Sequence, residues 1–172
     1  MGRSATNVDG MTTTNTTDVP IRLDFDAAAP TFSKAMAHLD HAATKELDGA
    51  DFDHRLRELL RLRVSQLNGC AYCVDMHTRT ARAVGETDQR LAAITVWHET
   101  GFFTDAERAA LAFTEAIVRM ADNHVPASEF DAVAEHYSPA EIAALVSLVV
   151  AVSAWNAIGV STRAWPPGSY QP

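Results

Sequence analysis

The chain has 172 residues, 47% of them hydrophobic, with 14 Lys and Arg against 22 Asp and Glu and a net charge of -8. That is enough apolar material for one domain with a substantial core. The acidic balance, with no basic run interleaved with aromatic residues, argues against a phosphate-binding surface and so against nucleic acid as a partner.

Residues 1–18 are rich in Thr, Asn and Gly and lack an apolar core, and Met11 is a candidate alternative start. They read as a flexible lead-in, drawn here over residues 1–26, ahead of a single helical domain over residues 27–172. Residues 19–25 read as a short extended segment packing on that domain. Pro30 then opens a helix over residues 31–47 with Phe32, Met36, Leu39 and Ala43 on its apolar face. His38 and His41 read as ordinary polar positions on it.

Asp51 or Asp53 caps the next helix, which runs to Asn68 and carries Leu56, Leu59, Leu60, Val64 and Leu67 inward. Arg55, Arg57, Glu58, Arg61 and Arg63 then form its charged face. On spacing alone Glu58, three residues from Arg55 and from Arg61, reads as a member of an exposed ion pair. Asn68-Gly69 closes the helix, because Gly tolerates the left-handed conformation of a C-terminal cap.

Asn68-Gly69-Cys70-Ala71-Tyr72-Cys73-Val74-Asp75-Met76-His77 carries both cysteines of the chain. A helix over residues 71–84, stopped by Gly85, puts Cys70 at or near the N-cap, Cys73 in the first turn and His77 one turn further along the same face. Unpaired N–H groups at a helix start favour the thiolate. That term reaches at most about 2 kcal/mol, which lowers a thiol pKa of about 8.5 by less than about 1.5 units, so much of the thiol stays protonated near neutral pH. A nearby base is needed, and His77 is spaced to act directly or through a water or a carboxylate. A CxxC pair in an acidic chain without a signal sequence points to a redox or metal motif in a reducing compartment, the cytoplasm, rather than to a secreted disulfide framework.

Thr87 starts a helix to Trp97, and Thr104-Asp105-Ala106-Glu107 is a capping box opening a helix over residues 104–121 with Ala110, Leu111, Phe113, Ile117 and Met120 apolar. Residues 126–136 form another helix, and Ser138-Pro139-Ala140-Glu141 is a second capping box. No charge occurs between Glu141 and Arg163, a span long enough to cross a bilayer. Its alanines, and the interruptions at Ser147, Ser153, Asn156 and Gly159, favour a central core helix or a subunit interface instead, with no membrane contact. The fold class is all-α. His98, His124 and His136 read as ordinary polar residues.

Glu58, twelve residues before Cys70, then Ser65-Gln66-Leu67-Asn68-Gly69-Cys70-Ala71-Tyr72-Cys73 and His77, resembles the signature of the AhpD-like alkylhydroperoxidases within the carboxymuconolactone decarboxylase superfamily. The similarity extends through Ala81-Arg82-Ala83-Val84-Gly85 and weakly into Ala154-Trp155-Asn156, covering residues 47–161. It implies an AhpD-like helical bundle with the CxxC motif at a helix N-terminus, and a peroxidase acting on organic hydroperoxides. Cys73 would correspond to the attacking thiolate and Cys70 to the resolving partner that closes a Cys70–Cys73 disulfide. His77 and Glu58 would match the family's proton relay. The resemblance further implies a dithiol or lipoyl-type reductant, no cofactor or metal, and a homo-oligomer, trimer or hexamer. Two positions depart from the pattern. Tyr72 stands where some members have a histidine, and Trp155-Asn156-Ala157 stands in place of Trp-Asn-Arg. Members with lactone decarboxylase activity generally lack the cysteine pair.

Three other readings compete. A zinc site on Cys70, Cys73 and His77 lacks a fourth ligand, since Asp75 points elsewhere on the helix. A thioredoxin-like oxidoreductase needs a strand before the CxxC helix. A non-peroxidatic oligomeric protein of the same superfamily, sensing redox state or binding a ligand, would keep the fold and the cysteines.

Overall fold

The computed structural model describes residues 19–170; the expected lead-in over residues 1–18, with Met11, lies outside them. Among the described residues all regular structure is helical: α1 (Phe25–Ala28), α2 (Pro30–Gly49), α3 (His54–Asn68), α4 (Ala71–Ala83), α5 (Asp88–Ala93), α6 (Asp105–Val118), α7 (Met120–Asn123), α8 (Ala127–Ala134) and α9 (Pro139–Thr162). The starts follow local chemistry. Asp53 accepts the Leu56 N–H at 2.8 Å and Thr87 the Arg90 N–H at 3.2 Å, and capping boxes at Thr104/Glu107 and Ser138/Glu141 open α6 and α9. Gly69, at φ +72°, ends α3 in the left-handed conformation and turns the chain into α4.

α9 is the centre. By length and composition it is able to cross a membrane, with a mean hydropathy of 2.0 over its most apolar stretch. In this fold it instead contacts α2, α3, α4, α6 and α8, so apolar residues are required around most of its circumference. Leu145, Leu148 and Val149 meet Leu59, Leu60 and Val64 of α3 and Leu111 of α6 in the core, all 1% exposed or less. Burying each such side chain contributes roughly 1.5–3 kcal/mol.

Several expectations are corrected. Phe32 and Leu39 are exposed, and α2 buries only Met36, Ala43 and Leu47, because it lies outermost and rests a narrow stripe on α9. Met120 is exposed, since α6 ends at Val118. The helix expected to run to Trp97 stops at Ala93 and continues as a 3₁₀ turn over Ile94–Glu99, broken at Val96. Arg108 supports the irregular turn by donating to the carbonyls of Trp97, His98 and Thr100 at 2.9–3.1 Å, and the Trp97 carbonyl also accepts the Thr100 N–H at 3.3 Å.

The charged face of α3 is also mostly inside: Arg57, Glu58 and Arg63 are buried, and only Arg55 is exposed. Arg57 donates to the carbonyls of Leu47 and Phe52 and pairs with Asp48, stapling the end of α2 to α3. At the chain's start, the amides of Arg22 and Leu23 donate to the Thr162 carbonyl at 2.9 and 3.1 Å. Residues grouped with the lead-in are therefore tied to the end of α9, although Val19, Ile21 and Leu23 stay about half exposed rather than packed.

Candidate functional site

The Gly69 turn sets the first residues of α4 against α9. Cys70 is the N-cap of α4 and its Sγ accepts the Cys73 N–H at 3.4 Å. The two sulfurs are joined as a disulfide, with Cα atoms 5.3 Å apart. Close approach requires Gly159 on α9, because a Cβ there would lie 2.9 Å from the Cys70 Sγ. Gly159→Ala should therefore destabilise the protein by about 1–3 kcal/mol, as overpacking does, measured by denaturant unfolding. An unchanged midpoint would mean the helices separate freely.

Glu58 is reached from α4 across the α3–α4 contact. Its Oε2 lies 3.2 Å from His77 Nδ1 and its Oε1 accepts Arg61 at 2.6 Å, with Glu58 and His77 only 4% and 8% exposed. The exposed ion pair expected from spacing is thus replaced by a buried triad, because α4 covers this face of α3. Burial pushes the Glu58 carboxyl up, but the hydrogen bond from His77 and the charge of Arg61 outweigh it and hold Glu58 below its ordinary value of 4.5. Ionised, Glu58 only accepts, so Nδ1 of His77 carries the shared hydrogen. In the neutral ring, Nε2 is left as a proton acceptor.

Cys73, His77 and Glu58 line one cavity of about 560 Å³, walled by Tyr72, Trp155 and Trp165. Cys70 does not line it and sits behind Cys73, over Gly159. Asn156, 1% exposed, accepts from Asn68 at 3.1 Å and donates to Ser65 at 3.2 Å, fixing α9 to the end of α3 beside the cavity. The segment after α9 folds back over α4: the Trp165 indole N–H donates to Asp26 at 2.9 Å, and the Gly168 N–H to Asp75 at 2.9 Å. Among the described residues no three His, Cys, Asp or Glu side chains converge to hold a metal. His98 stacks on Trp97, outside the cavity lining.

The structure thus brings together all four residues singled out by the motif, three on the cavity and one behind it. Sequence reading missed Asp26, Asp40, Trp165 and Tyr170, which also line the cavity, and it took Gly159 for an interruption. The available signal was Trp165-Pro166-Pro167-Gly168-Ser169-Tyr170, an aromatic and turn-rich stretch suited to folding back on a helix.

A model of the carboxymuconolactone decarboxylase family matches residues 30–116, so the match takes in α2 and stops short of α9. The chain is 35% identical over 140 residues to the uncharacterized protein YdfG of Bacillus subtilis, covering 81% of this chain and 92% of that one. A 63-residue stretch is 41% identical to alkyl hydroperoxide reductase AhpD of Bradyrhizobium diazoefficiens, covering 33% of this chain and 32% of that protein. The crystal structure of an Agrobacterium tumefaciens protein of unknown function, named as a candidate AhpD of antioxidant defence, superposes with a TM-score of 0.80. It is 32% identical, covering 86% of this chain and 99% of that one. With an all-helical fold shared over that length and a CxxC pair at the start of α4, the chain belongs to the carboxymuconolactone decarboxylase family, as one of its AhpD-like members.

Proposed function

We propose that the protein is a thiol-dependent peroxidase that reduces organic hydroperoxides through Cys70 and Cys73. The observation that carries this reading is the shared cavity of Cys73, His77 and Glu58, with Cys70 behind Cys73 and bonded to it. In the reduced protein, His77 takes the Cys73 proton, directly or through a water, while Glu58 stabilises the imidazolium. The thiolate attacks the terminal oxygen of the hydroperoxide, the O–O bond breaks, and Cys73 becomes a sulfenic acid. The departing alkoxide takes the proton of the Cys70 thiol and leaves as the alcohol. The Cys70 thiolate then attacks the Cys73 sulfur, and hydroxide leaves with the proton held on His77 as water. The sum is one hydroperoxide and two thiols giving one alcohol, one water and one disulfide.

A dithiol of lipoyl type restores the thiols. It attacks Cys73 from the cavity, and Cys70 departs as a thiolate facing the Cys73 N–H, where the start of α4 favours negative charge. The same reading includes the cytoplasm as compartment and a homo-oligomer, trimer or hexamer. Exposed Met120, Val150 and Val160 along a second, apolar groove offer a face that another copy would cover. Light scattering on the eluted protein tests the assembly, and a monomer would remove it.

Mass spectrometry of thiol content before and after one equivalent of tert-butyl hydroperoxide tests the chemistry. Two thiols should be lost as an intramolecular Cys70–Cys73 disulfide, recovered by a dithiol, with one alcohol formed per disulfide. Thiols that stay reduced would end the peroxidase reading, and a disulfide formed without sustained turnover would favour a redox sensor. Glu58→Gln should slow thiol oxidation by about 100-fold, the size of a lost proton-transfer contribution, while helical content is kept. A variant that oxidises at the wild-type rate would make Glu58 structural.

A further inference from the structure

We propose that the cavity over Cys73 selects neutral hydroperoxides bearing an aromatic or similarly bulky apolar group, with Trp165 as the specificity-determining side chain. This rests on the peroxidase reading above and names the substrate class of that site. The hydroperoxide group itself needs little room. The cavity, at about 560 Å³ and open to solvent on one side, has room for a bulky organic part as well.

The walls say what that part is. Tyr72, Trp155, Trp165 and Tyr170 all line the cavity and all remain partly exposed. Trp165 packs at 5.8 Å from the Tyr72 ring and edge-to-face at 5.5 Å from Trp155, leaving a concave aromatic surface to which a further ring is able to add by the same offset or edge contacts. The indole N–H of Trp165 is already committed to Asp26, whose other oxygen holds the Ser33 hydroxyl at 2.6 Å. Trp165 therefore meets a ligand with apolar surface, and it is oriented beforehand, so little side-chain freedom is lost on binding. The Gly168 bond to Asp75 fixes the segment from its other side.

Charge narrows the class further. Asp26, Asp40 and Glu58 all line the cavity, and among the described residues the sole Lys or Arg in its lining is Arg61, which is held by Glu58 at 2.6 Å and by Thr44 at 3.3 Å. A substrate carboxylate would meet negative charge from Asp26 and Asp40 and, among the described residues, no free cation in that lining.

The test measures the rate of thiol loss in the reduced protein with cumene hydroperoxide and with hydrogen peroxide. Wild type should favour cumene hydroperoxide by about tenfold or more, the differential expected from covering one ring. In Trp165→Ala that ratio should fall about tenfold, and Trp165→Phe should keep most of it. A carboxylated cumene hydroperoxide should react more slowly than the neutral one. In parallel, calorimetry follows binding of 2-phenylpropan-2-ol, the unreactive product alcohol, to the disulfide form. It should bind wild type and bind Trp165→Ala more weakly. If no peroxide oxidises the thiols, the peroxidase reading falls and takes this proposal with it. If the thiols are oxidised but the wild-type ratio is near one, or the alcohol does not bind, only the aromatic selection is overturned. A Trp165→Ala protein with unchanged helical signal, in which both peroxides slow equally, would also overturn it by making Trp165 structural.

Discussion

In the Cys73→Ser protein, peroxide-dependent thiol loss and alcohol formation should fall by more than about a thousandfold, as expected when a covalent catalyst loses its nucleophile. The serine hydroxyl keeps the shape but offers no polarisable thiolate, and neither His77 nor the start of α4 ionises it near neutral pH. Cys70→Ser should behave differently. Its Cys73 should still react once, stopping at a sulfenic acid that dimedone traps, and turnover should cease because nothing closes the disulfide. The asymmetry follows from position: Cys73 lines the cavity with His77 and Glu58, while Cys70 lies behind it over Gly159. A dimedone adduct on Cys70 in the Cys73→Ser protein, formed at the wild-type oxidation rate, would reverse the two roles.

Which features were legible in the sequence follows from how local their causes are. The caps at Cys70, Thr87, Thr104 and Ser138, and the left-handed Gly69, depend on a few neighbouring residues and lie at or within reach of where the sequence reading puts them, and Asp53 is the one of its two candidates, Asp51 and Asp53, that caps α3. α9 was legible for another reason: a charge-free run is compatible with contact on most sides, and five helices surround it. The charged face of α3 defeated the periodicity argument because its partners are remote. Arg63 meets Glu115, 52 positions away, and Glu58 meets His77, 19 positions away. A polar residue reads as exposed until its partner is known. Phe32 and Leu39 fail in the opposite sense, since helical spacing defines an apolar face without saying whether a neighbour covers it. The four motif residues could be grouped through resemblance, but no pattern of periodicity joins Asp26 to Trp165 across 139 positions.

Arg63 shows how much of the fold rests on such remote polar partners, and Arg63→Met should cost about 3–5 kcal/mol at pH 7, the range for removing one member of a buried pair. Arg63 Nε donates to Glu115 Oε1 at 2.7 Å, and the Trp97 indole N–H donates to the same oxygen at 2.8 Å, linking α3, α6 and the 3₁₀ turn. Arg63 and Glu115 are each 8% exposed. Burial alone raises the Glu115 carboxyl, but the hydrogen bonds from Arg63 and Trp97 outweigh it and hold the group below its ordinary value of 4.5. A carboxyl depressed by folding adds stability that is fully present above its unfolded value and is lost as pH falls through the lower folded value. Wild type should therefore lose this contribution on acidification below 4.5, whereas Arg63→Met, which has already lost the cation, should lose less. The gap between the two proteins should narrow from pH 7 toward acid pH, read from denaturant midpoints. Arg63→Met combined with Glu115→Leu should recover much of the loss, because no unpaired charge is left inside. A single-variant cost under about 1 kcal/mol, or a gap that does not change with pH, would reduce the pair to the weight of a surface ion pair and leave the packing of α3 on α6 to the apolar core alone.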